Sequence, residues 1–267
     1  MVRWIADTAC VDTAAQLADG TRIGQYCVIG PHVSVEYSCR LGDHTYVGCC
    51  TEIGAECDIA EFCVIGGREI DLRRGTAKSV GIRIGLLTRL GRAVVIESGT
   101  SAVPTILGAR CVVSSLAKLE SGARLGHDVH LGSGVVIGSQ AELAENASVG
   151  HGTMVQAGVR LGRNCAVGTL SQVDIDIPPH MLADGRPATV RGVNVAGLQR
   201  LGVDPFGINA VIQAYRQVYR TGLPLERAEQ LLCSDSGGTP EVREFFQHLE
   251  ASAGNRLGSY PEQWRVA

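Results

Sequence analysis

Aliphatic residues recur every six positions along most of this chain. Ile5, Val11, Leu17, Ile23, Ile29, Val35, Leu41, Val47, Ile53, Ile59 and Ile65 hold one frame. The frame breaks, returns shifted by one at Ile84, Leu90 and Ile96, breaks again, and then runs from Leu107 through Val113, Leu119, Leu125 and Ile137 to Val173. A period of six fits neither a 3.6-residue helix nor a simple hairpin meander. It predicts a solenoid of short strands and turns, a parallel β-helix with about three repeats per coil. Each marked aliphatic then points inward onto its counterpart in the next coil. The residue four further on is also inward, and it is small: Thr21, Cys27, Cys39, Thr45, Cys57, Ala117, Ala123 and Ala141 are examples. A glycine often follows the aliphatic, where it relieves crowding at the turn. Backbone groups find partners in the coils above and below.

The same pattern divides the chain. Residues 1–194 read as the β-helix, with inserted loops near 67–83 (GREIDLRRGTAKSVGIR) and 97–106 (ESGTSAVPTI). The stretch from Ile175 to Asn194 reads as a proline-containing exit. Residues 195–267 read as a C-terminal helical domain. There Ile208, Val211, Ile212, Tyr215, Val218 and Tyr219 form a helical stripe, with Asp204 as its cap and Pro205 in its first turn. Two more helices are expected over 226–232 and 240–251. Helices at this end would cover edge strands that otherwise stay open to pairing.

Composition agrees with thin layers of small and aliphatic groups: 34 of the 267 residues are Gly, and aromatics make up only 4%. Ten cysteines invite a metal or redox reading. The frame argues otherwise, because Cys27, Cys39, Cys57, Cys63, Cys111 and Cys165 all fall on the small inward position, where a thiol acts as a small hydrophobe. Cys49 and Cys50 are adjacent without nearby ligand partners, and Cys10 and Cys233 are isolated. Neither a disulfide nor a metal site is expected. The net charge of −3 gives no basic field for nucleic acid. No leader pattern opens the chain and no run approaches the roughly 20 apolar residues of a membrane span, so a cytoplasmic protein is expected.

The repeats, the loop GREIDLRRG, the exit IPPHMLADGRPATVRGVNVAGLQRLG and the following AVIQAYRQVYRTG resemble the bacterial UDP-N-acetylglucosamine O-acyltransferases of lipid A synthesis. The similarity runs over nearly the whole chain, and the exit and helical segments are its most specific part. It implies a left-handed β-helix and a homotrimer with active sites between subunits. It also implies transfer of a 3-hydroxyacyl chain from acyl carrier protein to a nucleotide sugar, with no metal and no cofactor. In the family a histidine removes the proton of the acceptor hydroxyl. Keeping the hexapeptide frame from the second loop to the exit puts that histidine at Ser121, and a serine without an activating partner is a poor base. The family's other pocket histidines fall on Glu97, Lys118, Gln140 and Gln156. A competing local match is Leu125-Gly126-His127-Asp128, in which His127 has the right place within its hexapeptide but lies one repeat, and so one corner, later. His130 and His151 are weaker candidates, and His32, His44, His180 and His248 have no constellation around them. Asp71 and Arg73 match acidic and basic positions near the substrate. Asn194 and Arg200 match positions at the nucleotide end, where the planar guanidinium fork suits phosphate.

Three functions follow. The first is an acyltransferase using acyl carrier protein or coenzyme A with an altered acceptor or base, its catalytic candidates being His127, Ser121, Lys118 and Glu97. The second is a non-catalytic paralogue that binds acyl carrier protein or a nucleotide sugar. The third is different chemistry on a related thioester or sugar nucleotide.

Overall fold

In the computed structural model, residues 3–67, 81–100, 102–233 and 238–253 are described. Among them, two- to six-residue strands sort into three sheets of 11, 9 and 8 strands. The chain visits the sheets in turn, so each strand pairs with the strand one coil away. Eighteen residues make a regular coil: Ile23 stacks on Ile5 and Leu41 in the first sheet, Ile29 on Val11 and Val47 in the second, Val35 on Leu17 and Ile53 in the third. All of these pairs are parallel, a geometry that requires crossover connections. Here the crossovers are the other two sides of the coil.

The inward aliphatics are buried from Leu17 onward, and the small inward row from Thr21 to Ser171 is buried with them. Among the described residues no Phe, Tyr or Trp ring lies inside the coils. Tyr26, Tyr37, Tyr46 and Phe62 project outward, and Phe245 and Phe246 are buried in the helical cap. The inward thiols are more than filler. Cys27, Cys39, Cys57, Cys63 and Cys111 each donate to a glycine carbonyl in the next coil (Gly42, Gly54, Gly85, Gly91 and Gly126) at 3.1–3.2 Å. Thr153 does the same to Gly168 at 2.8 Å. The position therefore selects small side chains that can carry a donor, and all ten cysteines are free.

The turns show how the glycine after the aliphatic relieves crowding. The glycine after the aliphatic is needed for the approach of the next coil, not for a left-handed backbone: a Cβ on Gly126 would sit 2.7 Å from the Glu145 nitrogen. The left-handed conformation falls two residues later, often on side chains that ordinarily avoid it, such as Tyr26, His44, Phe62, Asp128 and Gln140 with φ of 55–63°. Each coil compensates with a bond. The amides of His44, Phe62, Asp128 and Gln140 donate to the carbonyls of Gln25, Asp43, Ala109 and Ser121 one coil below, at 2.8–3.0 Å.

The two interruptions are narrower than the sequence frame suggested. Ile82 and Arg83 belong to the strand Ile82–Ile84, which pairs with Thr51–Ile53 and Thr105–Leu107. Glu97 ends the strand Val95–Glu97 and Thr105 opens the next strand. The ladder runs to the edge of each insertion because every paired amide spares a desolvation cost. Residues 68–80, and with them Asp71 and Arg73, lie outside the described residues.

The exit is not a plain linker. Met181–Gly185 and Ala188–Val193 form an antiparallel hairpin that joins the first sheet beside Ala166–Val167. Asn194 then caps a short helix α1, Val195–Arg200, which the sequence pattern did not flag. Helix α2, Pro205–Tyr215, is capped by Asp204, whose carboxylate accepts from the Gly207 amide at 2.8 Å, and continues into a π-helical turn, Arg216–Arg220. Helices α3, Leu225–Cys233, and α4, Pro240–Ala253, follow. Helix α4 is fastened to the last coils by Asp176, which is fully buried. Its carboxylate accepts from the Arg160 amide (2.8 Å), Arg160 Nε (3.0 Å), Arg160 Nη2 (2.8 Å) and Ser252 Oγ (2.8 Å).

Candidate functional site

The outer faces of the sheets differ in chemistry. The outward row of the third sheet reads Glu52, Arg83, Ile106, Arg124, Glu142 and Arg160. That of the second sheet reads Cys10, Val28, Tyr46, Val64, Val95, Lys118, Val136, Met154 and Gln172. Lys118 is the one charge in this row. Its ammonium meets Glu97 Oε1 at 2.8 Å and lies 3.6 Å from Glu120 Oε1. The hydrogen bond to Glu97, with the charges of both carboxylates, holds the ammonium above the usual lysine range against a smaller opposing effect of burial.

Each carboxylate is positioned by the coil beside it. Glu97 Oε2 accepts from the Ser121 amide at 3.3 Å, so both of its oxygens are engaged. Glu120 Oε2 accepts from the amide and hydroxyl of Ser139 at 3.1 and 3.2 Å. The turn beneath is knotted by buried Thr105, which donates to the Glu97 carbonyl at 2.8 Å and accepts from the Gly122 amide at 2.9 Å. Glu97 and Glu120 occupy the position after the aliphatic that most often holds glycine, although Asp12, Glu36 and Asp174 stand there too. The same place one coil on is Gly138, and two coils on Gln156, as their ladder bonds to Val155 and Val173 show.

The sequence candidates thus separate into groups. Glu97, Lys118 and the Ser121 backbone are brought together. Gln140 joins them through its amide, which donates to the Ser121 carbonyl at 3.0 Å, and exposed Gln156 lies further along the same face. His127 is elsewhere. It follows the third-sheet strand Arg124–Leu125, whereas Ser121 follows the second-sheet strand Lys118–Leu119. Its Nδ1 accepts from the Ala109 amide at 2.9 Å. Asp43 and His151 accept in the same way from amides one coil below, at 2.7 and 2.8 Å, so the geometry of His127 is that of a turn acceptor. Neighbouring Asp128 is tied to Arg110, which holds its carboxyl below the usual range.

Asn194 is buried with both side-chain atoms in use: Oδ1 accepts from the Gly197 amide (3.0 Å) and Nδ2 donates to the Asn164 carbonyl (2.9 Å). Arg200 is exposed in the last turn of α1. Two histidines that looked isolated in sequence, His44 and His180, have partners far along the chain. His44 is stacked between Tyr26 and Phe62, with centroids 5.1 and 5.2 Å away. His180 is fully buried, its ring 3.3 Å from the Asn164 amide and 3.4 Å from a Glu244 oxygen. Burial pushes His248 down to about 4. These contacts join residues 16 to 64 positions apart, which a one-dimensional frame does not display. Glu120 was missed because its partner Ser139 lies one coil away, and a carboxylate at this repeat position also occurs at Asp12, Glu36 and Asp174. Among the described residues no group of three or more side chains could hold a metal ion.

Parallel coils of six-residue units under a helical cap place the protein in the hexapeptide-repeat class of left-handed β-helices. It shares this fold with UDP-N-acetylglucosamine acyltransferases of Bacteroides fragilis (TM-score 0.88, 22% identity, 96% of this chain and 100% of that one) and Francisella novicida (TM-score 0.87, 22% identity, 98% and 96%). Residues 176–258 match the profile of UDP-N-acetylglucosamine O-acyltransferase domain 2. An acyl-[acyl-carrier-protein]–UDP-N-acetylglucosamine O-acyltransferase of Herminiimonas arsenicoxydans is 30% identical over 254 residues, covering 93% of this chain and 97% of the relative. The chain belongs to the UDP-N-acetylglucosamine O-acyltransferase family, and with it to the acyltransferases.

Proposed function

We propose that this protein moves an acyl chain from the thioester of acyl carrier protein to UDP-N-acetylglucosamine or a related nucleotide sugar, at a site centred on Lys118. The observation that carries the reading is the single charge in the outward row of the second sheet, the Lys118 ammonium set between Glu97 and Glu120, in a chain of this family. Thioester attack passes through an oxyanion, and a cation already held in place beside it stabilises it. Two of the three Lys118 N–H directions face carboxylates, which leaves one for the substrate. Gln140 and Gln156 extend the polar strip along which an acceptor would bind. Arg200 supplies a fork for the diphosphate, with Asn194 setting the start of its helix. Asp71 and Arg73 are proposed to complete the substrate end.

We further propose a homotrimer. Val28, Tyr46 and Met154 leave the second sheet apolar and open, and Tyr26, Phe62, Leu116 and Leu170 are exposed. A contiguous apolar surface of this kind marks an interface. The donor is carried by a soluble protein, and no described helix is long and apolar enough to cross a membrane, which suits a cytoplasmic setting.

One observation favours a second reading, a binding paralogue without turnover: no histidine enters the Lys118 cluster. Purified protein incubated with 3-hydroxyacyl carrier protein and UDP-N-acetylglucosamine, followed by mass spectrometry of the nucleotide sugar, separates the two. Acylated product is expected, with the rate falling about 100-fold in Lys118→Met. Tight binding of the carrier with no product from hydroxyl or amino acceptors would establish the paralogue instead.

A further inference from the structure

Acyl transfer to a hydroxyl needs a group that takes its proton, and the imidazole used for this in the resembled family has no counterpart in the cluster. We propose that Glu120 is the general base of this site, held in place by Ser139, with Lys118 as the oxyanion partner and Glu97 as its anchor. The assignment rests on the acyl-transfer reading above and deepens it.

Four observations support it. Glu120 is the carboxylate with an oxygen to spare: Oε2 is fixed by two bonds from Ser139, while Oε1 lies 3.6 Å from the Lys118 ammonium, beyond hydrogen-bond reach. Glu97 has no such freedom, since the Ser121 amide and Lys118 occupy its two oxygens, and its side chain is 14% exposed against 31% for Glu120. The next residue in the Glu120 row is Gly138, where a Cβ would come within 2.5 Å of the Ala157 nitrogen. The coils close tightly at that glycine, so no side chain of this row stands between Glu120 and Gln156. Finally, the alternatives are poorly suited. Lys118 is held protonated by its two carboxylates. His127 lies on another corner with Nδ1 engaged by the Ala109 amide.

The step is a base-assisted addition and collapse. As the acceptor oxygen forms its bond to the thioester carbonyl carbon, its proton passes to Glu120 Oε1. The carbonyl electron pair moves onto oxygen beside the Lys118 ammonium. Collapse re-forms the carbonyl and breaks the carbon–sulfur bond, and the departing thiolate takes the proton back from Glu120. Ester and thiol are the products, and the protein is unchanged. A placed base of this kind contributes about 100- to 10,000-fold. The arrangement of a base with its own orienting partner and a separate charge stabiliser is that of other acyl-transfer sites.

The test uses the full-length protein and the carrier-to-nucleotide-sugar assay. Glu120→Gln keeps the shape and is expected to lower kcat at least 100-fold with KM within a few-fold. Ser139→Ala, a positioning change, is expected to lower kcat about 10-fold and leave KM. Glu120→Ala is expected to regain rate in added sodium formate, which neither wild type nor Lys118→Met does; a merely structural role for Glu120 predicts no rescue. The wild-type rate is expected to stay level from pH 7.5 to 6, where an imidazole base would lose rate through about pH 6.5. Wild-type transfer with undiminished Glu120→Gln activity would overturn the base assignment and leave the acyl-transfer reading standing. Absence of transfer by the wild type would overturn both. Should the Glu120 variants fail to fold by circular dichroism, the wild-type pH profile decides: a limb near the imidazole range overturns the proposal.

Discussion

The fastening of helix α4 to the solenoid offers a measurable test of how the two parts cohere. Asp176 is entirely buried and takes four hydrogen bonds, two from the Arg160 guanidinium, one from the Arg160 amide and one from Ser252. Arg160→Met removes the two guanidinium donors and the compensating charge together, while the amide and Ser252 remain. Stripping a partner from a buried ion pair costs about 3–5 kcal/mol, because the remaining charge cannot recover its hydration. The Arg160 side chain is 30% exposed, so water can partly reach the gap, and about 3 kcal/mol is expected. Ser252→Ala removes one bond to a charged acceptor, worth about 1.5 kcal/mol. Urea unfolding should be run at one fixed protein concentration, since assembly shifts apparent stability. Hydrogen exchange would add spatial information, because Ser252→Ala should first loosen α4 and spare the coils. A cost below about 1 kcal/mol for Arg160→Met, or one no larger than that of Ser252→Ala, would refute the reasoning.

Two further outcomes follow from buried groups. Folding holds His248 neutral by lowering it to about 4 from 6.5, so between these values the unfolded chain binds the extra proton. Its contribution is whole above pH 6.5 and is lost as the pH falls through about 4. His248→Leu should flatten the stability profile over that window by up to about 3 kcal/mol, read from unfolding at stepped pH. Burial pushes Cys63 and Cys111 up to about 11 and Cys165 to about 12. At pH 8 a water-soluble disulfide reagent should modify exposed Cys10 and Cys50 in the native protein and leave these three silent until unfolding. Native labelling of Cys111 would contradict the coil packing.

What could be read from the chain, and what could not, divides along one physical line. The inward positions repeat with fixed spacing, so the coils, the small row and the stripe from Ile208 to Tyr219 were visible in sequence. The hairpin Met181–Gly185 with Ala188–Val193 was not, because its prolines and glycines read as a linker. Helix α1 is too short to show a stripe. Near the site, the frame located Glu97 and Lys118 but could not tell that their charges meet at 2.8 Å across a coil. Glu120 shares its place in the repeat with Asp12, Glu36 and Asp174, and what sets it apart is Ser139 in the following coil, which the sequence does not display.

The alternation of inward and outward rows has a consequence for how such a protein changes over time. Fold information resides in side chains that face the axis, and chemical information in side chains that face away. A substitution in an outward row disturbs mainly its neighbours one coil above and below. A lysine and two glutamates can therefore stand on the outer side of these coils while Leu119, Ile137 and Val155 keep their stacking. Ancestry and reaction are written on different sides of the same strand, so overall likeness to the family certifies the scaffold while leaving the catalytic groups to be read residue by residue.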